Sequence, residues 1–249
     1  MSQKTTRPLL EVRGLTKRFG GLVAVRDLSL SVEAGEVLGI VGPNGAGKTT
    51  LFEVISGFQP PSSGEVRLEA RRLNGLRPDE RCRLGIGRTF QLEKTFRRLT
   101  IRENVMMGAF ARQKDARRAR KLADQVLEEV GLSAKADLTA GGLTPMERKR
   151  LEIGRAVATQ PKVMLLDECM AGLRPGEVDE SVDLIRRLNR ERGMTFLVIE
   201  HVMRAVMSLS GRILVMHHGE RIALGKPEDV VRDALVVEAF LGEAPIAHD

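Results

Sequence analysis

A chain of 249 residues with 42% hydrophobic side chains is long enough for one sizeable core carrying an inserted or appended lobe. Its 40 Lys and Arg against 33 Asp and Glu leave +7, which suits nucleic acid, anionic lipid or phosphorylated ligands, but 3% aromatic content without Trp or Tyr is poor material for stacking on single-stranded nucleic acid. MSQKTTRPLLEVRG at the start has no apolar leader, no stretch approaches the roughly 18 apolar residues of a membrane span, and Cys82 and Cys169 lack metal-ligand spacing, so a soluble, intracellular chain with buried reduced thiols is expected.

The first third reads as strands. GLVAVRDLSLSVEAG carries Val23, Val25, Leu28, Leu30 and Val32, alternating with polar neighbours from Asp27 on, the period of a sheet with one wet face. EVLGIVG is a continuous apolar run ending in glycine, as expected of a strand buried on both faces, and KVMLLDE and MTFLVIE are two more. Helical patterns follow them at 49–56, 176–192 and 202–209, and strands alternating with helices predict a parallel α/β sheet. Between Gln91 and Ala158 the spacing is helical throughout, which predicts a helical lobe over about 91–158, inserted into a core of 1–90 and 159–249. The basic run RQKDARRARK at 112–121 reads as a solvated helix face. RILVMHHGERIALG reads as two strands around a His218-Gly219 turn, and KPEDVVRDALVVEAFLG as a closing helix.

The strongest chemical signal is GPNGAGKT, which satisfies G-x-x-x-x-G-K-[ST] between a buried strand and a helix. Gly42, Pro43, Asn44, Gly45, Ala46 and Gly47 form the loop, Lys48 and Thr49 follow, and Thr50 continues the helix. Glycines let backbone N–H groups turn inward around phosphate oxygens, and the helix N-terminus adds partial positive charge. Lys48 can then reach the terminal phosphates and Thr49 can give its hydroxyl to Mg2+, so a nucleotide such as ATP is the expected ligand. In KVMLLDE four apolar residues deliver Asp167, suited to Mg2+, and Glu168, suited to polarising a water, to the end of a buried strand. Gln91 and His201 end or follow other strands, and both are expected at the same sheet edge.

With those residues in place the chain resembles the ATP-binding cassette ATPases, from Leu10 to Ala244. GPNGAGKT is similar to their Walker A, VMLLDE to their Walker B, RTFQ to their Q-loop, AGLRP to their D-loop and IEH to their switch histidine. The resemblance implies a P-loop NTPase (RecA-like) α/β core with an N-terminal antiparallel β subdomain and an inserted α-helical subdomain. It implies that Gln91 senses Mg2+ and the transport subunit, that Glu168 is general base, that His201 contacts the γ-phosphate, and that Phe19 stacks on adenine. Implied partners are a second ATPase subunit, identical or different, membrane permease subunits and, through them, a solute-binding protein, with the chain peripheral on the cytoplasmic side of the inner membrane. Within the family RTFQ, LTIRENVMMGAF, VIEH and AFLGEA are most similar to the ATPase subunits of branched-chain amino acid importers, with lipopolysaccharide-export ATPases second. A DNA-associated ATPase of the superfamily would need a long coiled-coil insertion or zinc cysteines, and neither occurs, so no nucleic-acid partner is expected.

One stretch departs from the family. Where its members normally carry L-S-G-G-Q, a turn that binds the γ-phosphate held by the opposite subunit, this chain has Leu143, Thr144, Pro145, Met146 and Glu147. Thr144 keeps a hydroxyl and, with Pro145 and Glu147, makes a capping box. Met146 is expected to put a side chain where glycine would let backbone approach phosphate. A carboxylate in the first turn gains about 0.3–1 kcal/mol from the helix dipole, whereas a phosphate about 4 Å away would repel it by roughly 4 kcal/mol at an effective dielectric near 20. Glu147 must therefore turn back into its cap, or this surface binds ATP poorly; a signature that serves the opposite site weakly is expected. Cys169 stands where the family usually has proline.

Overall fold

The computed structural model describes residues 7–89 and 95–241. A hairpin of β1 (Leu10–Phe19) and β2 (Leu22–Val32) leads to β3 (Val37–Val41), the loop at 42–47 and α1 (Lys48–Ser56). β4 (Ser63–Leu68), β5 (Arg71–Arg72), α2 (Pro78–Leu84) and β6 (Ile86–Arg88) follow. Then come three helices, α3 (Ile101–Ala109), α4 (Ala116–Glu129) and α5 (Pro145–Val157). β7 (Val163–Asp167), α6 (Pro175–Arg192), β8 (Thr195–Ile199), α7 (Met203–Leu209) and β9 (Arg212–His217) alternate before β10 (Glu220–Gly225), α8 (Pro227–Val230) and α9 (Ala234–Leu241).

The strands make two sheets. An antiparallel one runs β2-β1-β4-β5; the other runs β10-β9-β3-β8-β7-β6, parallel from β9 to β6 with β10 antiparallel at its edge. Parallel strands need helices on their faces, and the uninterrupted apolar runs at β7 and β8 answer that need: every residue of both is buried. Alternate side chains serve different cores. Met164, Leu166, Phe196 and Val198 pack with Ile101, Val126 and Leu151 of α3, α4 and α5. Val163, Leu165, Leu197 and Ile199 pack with Leu10 and Leu28 of the antiparallel sheet and Phe52 of α1. The parallel sheet is thus a partition between helices and β-layer.

On β2 the alternation slips between Val25 and Leu28, and the chain bulges there. Asp27 takes φ 42°, the register against β1 shifts between Leu15 and Lys17, and Leu28, Leu30 and Val32 regain the buried face. Several expectations need correction. α2 stands within the stretch read as strands, β6 ends at Arg88 with Thr89 outside it, and the closing helix is two, α8 and α9. Gln91 lies outside the described residues. Cys169 is buried, but Cys82 is only half-buried. The run 112–121 is largely exposed, with Ala119 buried and Arg112 and Gln113 half-buried; the Arg112 guanidinium donates to the carbonyls of Arg83 (2.6 Å) in α2 and of Thr159 (2.7 Å) and Gln160 (3.2 Å) in the turn after α5, tying both to the segment after α3. Arg81 does the same for α1, donating to the carbonyls of Val54 (2.6 Å) and Ile55 (2.9 Å) in its last turn.

Because Phe196 is fully buried at the centre of the partition, Phe196→Ala should lower unfolding stability by about 3–5 kcal/mol in urea titration, against well under about 1 kcal/mol for Leu22→Ala at the exposed start of β2.

Candidate functional site

The C-terminal ends of the parallel strands form one edge, the usual ligand side of such a sheet. β3 delivers the loop 42–47 there, and two of its glycines are required by space as well as by φ. A Cβ on Gly42 (φ 151°) would stand 2.0 Å from the carbonyl oxygen of Met216, and one on Gly47 (φ 95°) 2.1 Å from that of Ala24. Pro43 accepts the Ala46 N–H at 3.2 Å, Ala46 is buried, and Asn44 and Gly45 are exposed. Gly47 caps α1 without a side-chain bond, so the first-turn N–H groups face outward beside the exposed Thr49 and half-buried Thr50. Buried Lys48 donates to the carbonyls of Gly42 (2.6 Å) and Pro43 (2.9 Å), which folds the ammonium over the loop. A cleft of about 700 Å³ opens here, reaching Phe19, Lys48, Thr49, Glu168 and His218. Phe19 is exposed, with Lys17 Nζ 4.6 Å from its ring centroid on one face.

Asp167 ends β7 and is 1% exposed. Its N–H donates to Thr89 Oγ1 at 3.2 Å and its Oδ2 accepts from Arg88 Nη2 at 3.0 Å. Burial raises the carboxyl above its usual range, and Arg88 partly offsets this. Its Oδ1 is buried and finds no hydrogen-bond partner among the described residues. Glu168 comes next in a left-handed conformation, φ 50°, sparse for a residue with a long side chain. Its N–H donates to Ile199 O at 2.9 Å, and its Oε1 lies 3.1 Å from Nε2 of His201, which follows β8. The structure therefore brings Lys48, Thr49, Asp167, Glu168 and His201 to one edge of the sheet.

Glu200 and Arg88 escaped sequence reasoning. Glu200 is buried and its Oε1 accepts the Met170 N–H at 2.7 Å. Burial raises its carboxyl above the ordinary range, partly offset by that bond and by the Cys169 thiol. The carboxylate thereby ties the segment after Glu168 to the one carrying His201. A charged residue inside an otherwise apolar strand end was the available signal for it.

The signature residues do not line the P-loop cleft of the same chain. Leu143 is buried, Pro145 opens α5, and the capping box forms: Thr144 Oγ1 accepts the Glu147 N–H at 3.3 Å and Glu147 Oε2 accepts the Thr144 N–H at 3.0 Å. Glu147 does fold back, and Lys135 Nζ holds its other oxygen at 2.5 Å. The expectation for Met146 is corrected: it is 7% exposed and turned inward, its sulfur 3.6 Å from Ser181 Oγ of α6.

The architecture is that of the ATP-binding cassettes. A nucleotide-free cassette of an ABC transporter superposes with a TM-score of 0.85 at 32% identity, covering 94% of this chain and 98% of that one. The ADP conformation of an ATP-binding cassette of an ABC transporter, MJ1267, matches with a TM-score of 0.85 at 33% identity over 95% of this chain and 100% of that one. The ABC transporter family profile matches residues 25–171, and the chain belongs to that family as an ATP-binding subunit. It is 41% identical to the high-affinity branched-chain amino acid transport ATP-binding protein BraF of Pseudomonas aeruginosa, over 96% of this chain and all of the relative. It is 39% identical to LivG of Escherichia coli K12, a protein of the same description, over the same shares. The lipopolysaccharide export ATP-binding protein LptB of Acidithiobacillus ferridurans is 36% identical over 94% and 97%.

Lys135 first, and then the Thr144 N–H, hold the Glu147 carboxyl below its usual range. The cap's contribution is therefore complete above the unfolded carboxylate value, about 4.3, and disappears as pH falls through the lower folded value. Glu147→Gln should be less stable than wild type at pH 6 by chemical denaturation, with the gap closing as pH is lowered through that window.

Proposed function

We propose that the chain hydrolyses ATP to ADP and phosphate, as one of two ATPase subunits that drive a membrane permease. The observation that carries this reading is Glu168, held in a left-handed backbone conformation 3.1 Å from His201 and beside the buried Asp167, at the sheet edge that also bears the P-loop. In this reading the phosphates rest on the loop 42–47 and the first turn of α1, with Lys48 on the terminal phosphates. Phe19 stacks adenine on the ring face that Lys17 leaves open. Glu168 takes the proton of the water that attacks the γ-phosphate, while His201 orients Glu168 and reaches the γ-phosphate.

The residues fit Mg2+. Asp167 Oδ1, bare and buried, and the exposed hydroxyl of Thr49 are hard oxygen donors, and two protein oxygens plus phosphates and waters are the usual company of that ion. Asp167 and Thr49 would hold it, with Gln91 joining from outside the described residues. Bound there, Mg2+ supplies charge neutralisation on the phosphate oxygens.

The likeness to BraF and LivG supports import of branched-chain or related hydrophobic amino acids; the weaker likeness to LptB makes lipopolysaccharide export the second reading. Among the described residues no helix is long and apolar enough to cross a membrane. The chain then sits peripherally on the cytoplasmic side of the inner membrane, with permease subunits and, through them, a solute-binding protein. Each ATP site would combine one subunit's P-loop with the other's signature turn. Thr144 keeps one phosphate ligand, but its turn lacks the family's glycines, so this chain serves its partner's site weakly. A different partner ATPase would supply an intact signature, giving one strong site and one weak site.

Glu168→Gln should cut ATP turnover by about a hundredfold or more while ATP binding survives, and an ATP-bound dimer should accumulate on size exclusion. Turnover near the wild-type rate would remove Glu168 from the base role. Purified from membranes, the chain should bring permease subunits with it; recovery with nucleic acid and no membrane protein would sink the transporter reading.

A further inference from the structure

Arg88 ends β6, paired in register with Leu165 of β7. Its side chain is 9% exposed, and the guanidinium is held from several sides. Nη2 donates to Asp167 Oδ2 at 3.0 Å. Nη1 donates at 3.1 Å to Oγ of Ser56, the last residue of α1, whose own hydroxyl proton goes to Phe52 O at 2.6 Å. The Phe58 ring centroid lies 5.7 Å from the guanidinium carbon. A side chain pinned in this way cannot swing out to water as a surface arginine would. It joins the helix after the P-loop, the strand before Gln91 and the strand that ends in Asp167.

On the carboxylate the two oxygens differ. Oδ2 is occupied, whereas Oδ1 is buried and bare among the described residues. Burying a carboxylate without a counter-charge is expensive, so Arg88 gives Asp167 a partner in the nucleotide-free chain. The same charge has a second effect once Oδ1 takes a metal: guanidinium and divalent cation then share a single negative charge and repel each other across it.

Resting on the reading of Asp167 as a Mg2+ ligand, we propose that Arg88 is the resident counter-cation of that ligand. It positions Asp167 with Oδ1 reserved for Mg2+, and it loosens the metal's hold so that Mg2+ and ADP leave after hydrolysis. In this role Arg88 is a positioning residue that acts through Asp167.

The test uses the full-length chain with ADP carrying an N-methylanthraniloyl fluorophore, titrated with Mg2+. Removing a charge a few ångströms from a divalent metal supports a change of at least about tenfold even after the phosphates and waters around the metal screen most of the repulsion. Arg88→Gln should therefore shift the Mg2+ midpoint about tenfold lower, and the nucleotide-free variant should melt below wild type. Arg88→Lys, which keeps the charge, should restore the wild-type midpoint. A midpoint in Arg88→Gln that is unchanged or higher overturns the proposal, since loss of orientation alone weakens metal binding. Arg88→Met carries the same expectation and replaces Arg88→Gln if that variant does not fold. Asp167→Asn separates the two levels: a strongly raised midpoint upholds Asp167 as the ligand whatever Arg88 does, while a wild-type midpoint overturns the reading beneath the proposal.

Discussion

Everything at the functional edge depends on how closely the backbone packs around the phosphate loop. Gly42 and Gly47 lie against the carbonyls of Met216 and Ala24, leaving no room for a side chain at either position. Those carbonyls belong to different sheets: Met216 to β9, Ala24 to β2. The Arg26 N–H reaches the Gly219 carbonyl at 2.8 Å and the Gly219 N–H reaches the Ala46 carbonyl at 3.2 Å, so the loop is clasped between the antiparallel layer and the β9–β10 turn. Its curvature is imposed by tertiary packing as much as by its own glycines. The β-layer is consequently part of the proposed phosphate site, although among the P-loop and Walker B groups it contributes no residue.

The same edge gathers most of the buried charge that matters to chemistry. Lys48 is held by carbonyls of its own loop, Asp167 by Arg88 through one of its two oxygens, and Glu200 by the Met170 N–H. Asp167 ends β7 and Glu200 follows β8, two strands buried along their whole length. Glu168 shows what such rigidity makes possible, since the left-handed conformation costs on the order of 1 kcal/mol and is sustained by the bond from its N–H to Ile199 on the neighbouring strand.

Much of this was legible in advance. Continuous apolar runs identified β3, β7 and β8 because a strand covered on both faces has no polar alternation to show, and even the skipped step between Val25 and Leu28 corresponds to a bulge at Asp27. What escaped was of two kinds. Arg88 and Glu200 are polar residues whose partners lie far along the chain, and no local spacing announces a pair such as Arg88 with Asp167. Met146 was readable but was read against a motif: it lies on the same stripe as Ile153 and Val157, a helical spacing that points inward. α2 carried a local sign too, Pro78 followed by Glu80, whose carboxylate accepts the Arg77 N–H at 2.8 Å.

Arg112 and Arg81 share a feature with a consequence of its own. Both guanidiniums close junctions between elements by donating to backbone carbonyls, Arg112 between α2 and the turn after α5, Arg81 at the end of α1. Ion pairs at such joints would loosen as counterions accumulate, since exposed charges more than about 8 Å apart are largely screened at physiological salt. A fork resting on neutral oxygens gives ions little to compete for. These two junctions are therefore less sensitive to the ionic composition of the surroundings than surface pairs such as Arg204 with Asp179, which salt weakens.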